Sequence, residues 1–206
     1  MYIPEDFLVT DALMLHEIMR EHNFATVVTQ HGGVPFASHL PMMLDNSIGP
    51  RGALLGHMAR KNSQWQDFEA GAEVLVMFQG SHAYISPAWY EYNAMVVPTW
   101  NYMAVHAYGV ARILSEAELE ATLHQLVDEN EKSLPRPWKL SLTQAMRERM
   151  LNAIVGFEIT LSRIEGKFKL SQNRSEQDQR NVIAQLSQSA YGKDVAHCMS
   201  KELERK

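Results

Sequence analysis

The segment Gly56–Trp65, GHMARKNSQW, holds the densest group of side chains in the sequence that could bind an anion. Arg60 and Lys61 are two of only five basic residues among the first 114, and His57 and Asn62 lie beside them. An arginine can donate two hydrogen bonds to one phosphate, a lysine adds a point charge, and the start of a following helix adds backbone donors. The segment indicates either a phosphate site or, with equal weight, an ordinary solvated helix start.

A second group of polar residues interrupts an apolar strand pattern at Ser38–Pro41, SHLP. A proline cannot donate to a β-ladder, so Pro41 indicates a sheet edge or a bulge. Backbone groups released from the ladder next to Ser38 and His39 could bind a planar ligand. The alternative is a histidine that forms local hydrogen bonds beside an edge proline.

Aromatic residues are concentrated in two later segments. Trp89 and Tyr90 could line a flat pocket or belong to a loop that packs on the core. Trp100 and Tyr102 share one face of a predicted strand, and Asn101 points the other way. That aromatic face could be a ligand wall or a dimer interface.

Two lysines alternate with apolar residues close to the end of a predicted strand. Lys167 and Lys169 are separated by Phe168, so both lie on the same face of the strand. By itself this pattern is typical of an ordinary strand end whose lysines extend their aliphatic stems over the surface.

Metal and nucleophile motifs are lacking. Four histidines fall in predicted strands or tight loops, but no HxH or HxxxH pair links them, and one cysteine, Cys198, cannot form a thiolate zinc site. There is no GxSxG element, HExxH motif or P-loop. No metal is expected, and no residue is identified as a catalytic acid, base or nucleophile.

The secondary structure must place these groups. Helices are predicted at Asp11–Glu21, after the capping boxes Ser115/Glu118 and Ser141/Gln144, after Ser175, and over Tyr191–Leu203. Strands are predicted at Phe24–Thr29, Val34–Leu44, Ala53–Leu55, Glu73–Phe78, His82–Ser86 after a Gln79–Ser81 break, Asn101–Leu114 and Val155–Leu161. Between the first two, His31, Gly32 and Gly33 indicate a hairpin turn.

The composition agrees with one modest globular protein. The chain has 206 residues, of which 46% are apolar, and all 8 prolines precede Trp138. This distribution predicts a β-rich first part, a helical tail, and an α+β fold with a small barrel. The net charge of −5 argues against binding nucleic acid by charge alone. Neither a signal peptide nor an apolar run of about 18 residues is present, so a cytoplasmic location without membrane contact is expected.

The ordered segments together resemble the PaiB-type FMN-binding negative transcriptional regulators. The segments that carry the resemblance are FATVVT, PFASHLP, LLGHMARKNSQW, EVLVMFQGSHAYISPAWY, VPTWNYMAVHAYG and IEGKFKLSQNRSEQDQRNVIAQL. The resemblance covers nearly the whole chain, to about Leu186. It implies an FMN-binding split β-barrel with flanking and C-terminal helices. Residues 1–170 would form the barrel with helices inserted at about 115–150, and residues 171–206 would form a helical extension packed on it.

The resemblance also implies which residues contact FMN. The phosphate would bind Arg60 and Lys61, with His57, Ala59 and Asn62 nearby. The strand at Ser38, His39 and Leu40 would run beside the isoalloxazine ring. The remaining expected contacts come from Lys169 and Gln172, which would reach the ring or phosphate from either subunit, and from Trp100 and Tyr102, which with Trp89 would line the face open to a second ligand.

The implied function is a negative transcriptional regulator that acts as a homodimer. The alternative is a flavin-dependent oxidoreductase that acts on a small molecule. DNA is an expected partner from the family resemblance, but the sequence has no helix-turn-helix with a basic recognition helix, and the acidic first half opposes direct contact.

Overall fold

The computed structural model describes residues 1–69, 71–91 and 97–205. The α-helices are α1 (Ala12–Glu21), α2 (Trp65–Glu69), α3 (Glu116–Glu131), α4 (Gln144–Ala153), α5 (Glu176–Gln188) and α6 (Lys193–Glu204). The strands are β1 (Leu8–Val9), β2 (Phe24–His31), β3 (Val34–Pro41), β4 (Met43–Asp45), β5 (Ala53–Ala59), β6 (Glu73–Ile85), β7 (Thr99–Ile113) and β8 (Ile154–Lys169). Short 3₁₀-helices occupy Glu5–Phe7 and Pro87–Trp89.

The strands form one sheet in the order β3-β2-β6-β7-β8-β5-β4, and β1 pairs with β8. The pairings of β2 with β3 and β6, and of β5 with β4 and β8, are antiparallel. The turn between β2 and β3 falls at Gly32 and Gly33, whose φ angles of 58° and 82° suit glycine. This hairpin agrees with the turn expected from the two glycines. Because β3 ends the strand order, it is an edge strand, as Pro41 indicated.

The chain divides into two compact units. The terminal unit contains Met1–Glu21, Gln79–Val105 and Glu165–Lys206, and the central unit contains His22–Phe78 and His106–Ile164. The long strands β6, β7 and β8 contribute residues to both units. The predicted division between residues 170 and 171 stays a prediction, although α5 and α6 fall in the terminal unit together with residues from the first half of the chain.

Strand β6 differs from its predicted form at the point where its buried face changes. Residues 74, 76, 78 and 80 of β6 are buried, whereas residues 83 and 85 are buried farther along the same strand. A one-residue shift of this kind is what a β-bulge produces. The predicted break at Gln79–Ser81 is therefore wrong: the strand continues, and the Gly80 hydrogen leaves room for Met103, whose Cβ would lie 3.1 Å from an added methyl group.

The predicted strand at Val155–Leu161 is present within β8, but it does not have one polar and one buried face. Gly156 and Glu158 are buried as well as the apolar residues. An added Cβ at Gly156 would lie 2.7 Å from Leu119 of α3, which shows that α3 covers the second face. Five buried leucines form one core cluster that includes residues of α3 and α4: Leu55, Leu114, Leu119, Leu123 and Leu151.

Helix starts follow from local capping. Ser115 and Glu118 form the predicted reciprocal capping box, and Ser175 caps α5 through a 3.1 Å hydrogen bond from Asp178 N. The prediction of a capping box at Ser141 is wrong, because α4 begins two residues later with Thr143 as its N-cap. Both residues have a side-chain oxygen that can cap a helix, so the pattern alone could not choose between them.

Candidate functional site

The loop between β5 and α2 is tied to the edge strand β3 by one side chain. Asn62 Nδ2 donates to Ser38 Oγ over 2.8 Å, and Asn62 Oδ1 accepts from Gln64 N over 3.1 Å. A backbone bond from Asn62 N to Ala59 O closes the turn over 2.8 Å. Two of the predicted contact segments, the SHLP strand (residues 38–41) and the ARKN loop (residues 59–62), are thus brought together in the central unit.

Arg60 has a structural role that the sequence did not indicate. Its Nε donates to Asn152 O over 3.0 Å, and its Nη2 donates to Ile154 O over 2.8 Å. Its own backbone N–H bonds Ala153 O over 2.9 Å. These carbonyls lie at the C-terminal end of α4, where helices leave carbonyls unpaired. Arg60 therefore caps α4, and two of its three guanidinium nitrogens are committed there.

Lys61 is the second exposed cation of this loop. Ala59, Arg60 and Lys61 are all exposed, and no ion pair within the described part of the chain involves Lys61. The neighbouring backbone is fixed by Asn62 and by a bond from Trp65 Nε1 to Arg60 O of 3.1 Å. A solvated ammonium on a rigid turn suits a phosphate group, because little order has to be created on binding.

His57 supplies a buried polar atom without a partner. Its Nδ1 is buried and forms no hydrogen bond with any residue that the structure describes. Burial lowers the pKa of His57, since the charged ring would lose hydration. A neutral ring with an unpaired nitrogen, two residues before the ARKN loop, fits a cofactor rich in hydrogen-bonding groups. The residues at this end of β5 thus have the donor and acceptor chemistry that FMN requires.

The lowered pKa of His57 gives a testable pH dependence. Below the ordinary histidine pKa of about 6.5, the unfolded chain binds a proton that folded His57 resists, so stability is lost as the pH falls. We expect the free energy of unfolding to drop less between pH 7.5 and 5.5 in His57→Gln than in the native chain. Urea denaturation at both pH values measures this, with His197→Gln on the exposed face of α6 as the control. Equal pH slopes in the native chain and His57→Gln would contradict it.

A buried network behind the loop was missed from the sequence. Gln64 is completely buried, and its Nε2 donates to Val27 O over 3.0 Å and to Phe36 O over 3.2 Å. Asp67 accepts from Thr29 Oγ1 over 2.7 Å and lies 2.7 Å from His31 Nδ1. Gln64 thereby joins β2 to β3 behind the predicted ring contact. A glutamine in a polar loop carries no sequence signal for such burial.

The other predicted contact residues lie in the terminal unit. Trp100 is 53% exposed and packs against His82 and Tyr84, with ring centroids 6.1 and 6.0 Å away. Tyr102 is half-buried on the same strand face, and Asn101 is fully buried on the other, as the alternation predicted. This face keeps an open aromatic surface.

Lys169 and Gln172 are partly committed to the protein itself. Lys169 Nζ bonds Thr99 Oγ1 and, over 2.9 Å, Trp100 O. Gln172 accepts from Leu170 N over 2.7 Å and donates to Phe168 O over 2.6 Å, which fixes the turn after β8. The two residues position the strand end, and their contacts with FMN stay predictions, as do those of Ser38, His39, Leu40, His57, Ala59, Arg60, Lys61, Asn62, Trp100 and Tyr102.

Solved structures share the fold. The FAD and heme binding protein from Mycobacterium smegmatis superposes with a TM-score of 0.61 at 14% identity, covering 79% of this chain and 73% of that chain. A flavocytochrome from Azotobacter vinelandii gives a TM-score of 0.60 at 14% identity, covering 84% of this chain and 75% of that chain. The predicted α+β split-barrel fold is thereby confirmed. Among the described residues, no helix combines the length and apolar character needed to span a bilayer.

Sequence comparison identifies the family. A family model described as "Putative FMN-binding domain" matches residues 1–163. The Bacillus subtilis (strain 168) protein "Protease synthase and sporulation protein PAI 2" is 43% identical over 209 residues, covering 100% of this chain and 99% of that protein. The prediction of FMN as cofactor is confirmed. The chain therefore belongs to the PaiB-type family of FMN-binding proteins.

Proposed function

We propose that the chain is a cytoplasmic, homodimeric FMN-binding transcriptional regulator of the PaiB type. The observation that carries this proposal is the rigid, cationic turn at Lys61, which Asn62 ties to Ser38 on the edge strand. One ligand with a phosphate and a flat polar ring would use both parts. The name of the Bacillus relative refers to protease synthesis and sporulation, which supports a role in controlling gene expression.

In this proposal the chain's own residues divide the work of holding FMN. Lys61, with Arg60, neutralises the phosphate, and Asn62 keeps the turn in register with β3. Alternate backbone groups of an edge strand point away from its neighbour, so those at Ser38, His39 and Leu40 are suited to bind the ring edge. His57 offers its unpaired Nδ1, and the short side chain of Ala59 is exposed. Bound flavin would supply redox chemistry.

The remaining proposed contacts come from the terminal unit. Trp100 and Tyr102 supply aromatic surface, and Lys169 and Gln172 complete the contacts from their own subunit or from the partner. A homodimer is supported by the family resemblance and by the open aromatic face. Burial of exposed tryptophan and tyrosine is typical of interfaces between protein chains.

The flavin titration tests the cofactor part of this proposal. We expect the cofactor-free full chain to quench the fluorescence of added FMN saturably, with one FMN per chain. Riboflavin, which lacks the phosphate, serves as the control and should bind at least tenfold more weakly, since one charge-assisted contact contributes about 1.5–3 kcal/mol. Equal affinity for the two flavins would contradict a phosphate site, and light scattering at the mass of one chain would contradict the dimer.

Direct DNA contact is tested separately. A regulator that binds its operator should shift a promoter fragment at low salt and lose affinity steeply as the salt concentration rises. If no fragment of the gene's own upstream region shifts at low salt, direct binding of the chain to its own promoter is excluded. The acidic balance of the chain makes this the most demanding part of the proposal.

The second candidate function is a flavin-dependent oxidoreductase. The open ring surface formed by Trp100, Tyr84 and His82 favours it, because a small substrate could stack there. An enzyme of this kind should bleach the visible bands of its FMN when NADH or NADPH is added without oxygen, and a small acceptor should restore them. Flavin bands that stay unchanged with both nucleotides argue against a nicotinamide-driven reaction.

A further inference from the structure

One segment of the central unit carries a local excess of positive charge. Residues 132–149 contain five basic side chains and one acidic side chain, whereas the whole chain has a net charge of −5. The rest of the chain therefore has a net charge of −9. We call residues 132–149 the basic segment, which comprises the loop between α3 and α4 and the first six residues of α4. A positive segment in an acidic chain directs a polyanion to one place on the surface.

Three of the five cations in the basic segment are not neutralised by the protein. The other two, Lys132 and Arg147, pair with glutamates of α3. Arg136, Lys139 and Arg149 are all exposed, and none of them takes part in an ion pair within the described part of the chain. Their charges are thus available to a partner.

The loop that carries Arg136 is held in a defined shape. Glu131 Oε2 accepts from Trp138 N over 2.7 Å, and Glu131 O accepts from Leu134 N over 2.9 Å, so one residue at the end of α3 fixes both sides of the loop. The chain bends through residues 134–136, and the prolines on either side of Arg136 restrict its backbone further. Arg136 therefore lies on a short, stiff tip, which loses little conformational freedom on binding.

Exposed apolar side chains accompany these cations. Leu134 and Trp138 are 48% and 55% exposed, and every residue from 132 to 139 is exposed. Proteins that bind the minor groove of DNA contact it with arginine or lysine, and they frequently insert leucine or proline between base steps. The run Leu134–Trp138, LPRPW, combines these residue types within five positions.

The form of the basic segment favours the minor groove over the major groove. The minor groove is about 6 Å wide, whereas an α-helix with its side chains is about 10–12 Å across, so recognition helices enter the major groove. A narrow loop tip with one arginine fits the minor groove, whose negative potential is enhanced in A·T-rich DNA. Lys139 and Arg149 can then bind phosphates beside the groove.

We propose that the basic segment is the DNA-binding surface of this protein, and that Arg136 enters the minor groove of an A·T-rich duplex. This inference rests on the proposed function, since it names the surface through which such a regulator contacts DNA. It accounts for DNA contact in a sequence that has no helix-turn-helix with a basic recognition helix. It also places the contact away from the residues proposed to bind FMN.

The test uses the full chain with FMN added and three fluorescently labelled duplexes of equal length. One has alternating A·T pairs and one has alternating G·C pairs. The third has alternating inosine·C pairs, whose minor groove lacks the guanine amino group although its major groove resembles that of G·C. Fluorescence anisotropy at constant ionic strength measures the three dissociation constants. We expect similar affinities for A·T and inosine·C, and an affinity for G·C that is lower by about fivefold or more.

Removal of two charges then assigns the contact to the basic segment. Arg136→Gln combined with Lys139→Gln should weaken binding of the A·T duplex about tenfold or more. The slope of log affinity against log salt concentration should fall by about two, because each cation that neutralises a duplex contributes about 0.9. The charge-matched control, Arg51→Gln combined with Lys193→Gln, should leave affinity and slope nearly unchanged. All four side chains are exposed, so both variants are expected to fold.

Three results of the titrations would overturn the inference. The first is that the native chain binds none of the duplexes at low salt. The second is an inosine·C affinity equal to that of G·C and lower than that of A·T, which would place the contact in the major groove. The third is an equal loss of affinity in the Arg136/Lys139 variant and in the Arg51/Lys193 control, which would show that only the total charge matters.

Vesicles that contain anionic lipids test the other polyanion that this surface could meet. If the Arg136/Lys139 variant loses vesicle binding and keeps duplex binding, the basic segment is a membrane-contact surface and the inference is wrong. The proposed regulator is tested separately with the gene's own upstream fragment. If the native chain and the Arg136/Lys139 variant shift that fragment equally, the inference fails and the regulator stands.

Discussion

Lys61→Ala is expected to weaken FMN binding by about 10- to 100-fold and to leave the free energy of unfolding nearly unchanged. The Lys61 side chain is exposed and forms no ion pair within the described residues, so the folded protein does not depend on it. Loss of the Lys61 charge would therefore lower the affinity for a phosphate at the turn and would not lower stability.

Arg60→Ala is the informative comparison, because the two neighbouring cations have different structural duties. Arg60 donates to Asn152 O and Ile154 O at the end of α4, and its removal leaves these carbonyls without that donor. We expect Arg60→Ala to lower the free energy of unfolding by about 1–2 kcal/mol, since the bonds are partly solvated. Any loss of FMN affinity in this variant therefore mixes binding with stability.

Urea denaturation and FMN fluorescence titration of both variants separate the two effects. Riboflavin is again the control ligand, and Lys61→Ala should leave its affinity unaltered. If Lys61→Ala binds FMN as tightly as the native chain does, the FMN phosphate does not bind at this turn. Equal stability of Arg60→Ala and the native chain would show that the α4 cap contributes nothing measurable.

Gln64→Glu is expected to destabilise the protein by about 3–5 kcal/mol at neutral pH. Gln64 Nε2 donates to two backbone carbonyls in a site with no solvent exposure. A carboxylate of the same size would present a negative oxygen to those carbonyls and would lose its hydration. The β2–β3 pairing beside the predicted ring contact would weaken as a result.

The pH dependence of this variant has a defined sign. Burial raises the pKa of a carboxyl group, so the folded variant binds a proton more readily than the unfolded chain. Its deficit in stability should therefore be smallest at low pH and should grow as the pH rises from about 4.5 to 8. Denaturation curves at pH 5 and pH 8 measure the change, and Gln66→Glu, at an exposed position on α2, is the isosteric control. A Gln64→Glu deficit that is equal at both pH values would contradict the buried position.

Sequence patterns predicted the elements whose signals are local. The Ser115 capping box, the glycine turn between β2 and β3, and the opposite faces of Trp100 and Asn101 are each decided by a few adjacent residues. The role of Gly80 within a continuous strand was not predictable in this way, because its close contact is with Met103 of another strand, β7.

In the candidate site, too, local features were predicted from the sequence and long-range contacts were not. Arg60 and Lys61 are adjacent and have the same charge, so sequence alone gave them one role. Their roles differ because Arg60 bonds to carbonyls at the end of α4, which only the tertiary fold brings near it. The sequence pattern around Lys167 is typical of an ordinary strand-end lysine. Its contact, the carbonyl of Tyr2, is 165 residues away in the sequence and could not be predicted from that pattern. Long-range polar contacts of this kind produce no periodic pattern in the sequence.

The capping of α4 by Arg60 also bears on how the protein is made. The Nε and Nη2 atoms bond to carbonyls 92 and 94 residues farther along the chain. During synthesis the ARKN turn leaves the ribosome long before these partners exist, and contacts between distant residues close slowly. The turn can therefore reach its final hydrogen-bonded form only after α4 has emerged and packed. A chain that is released early, before residue 154, would carry every loop residue of the proposed phosphate site yet lack the support that holds the loop in place.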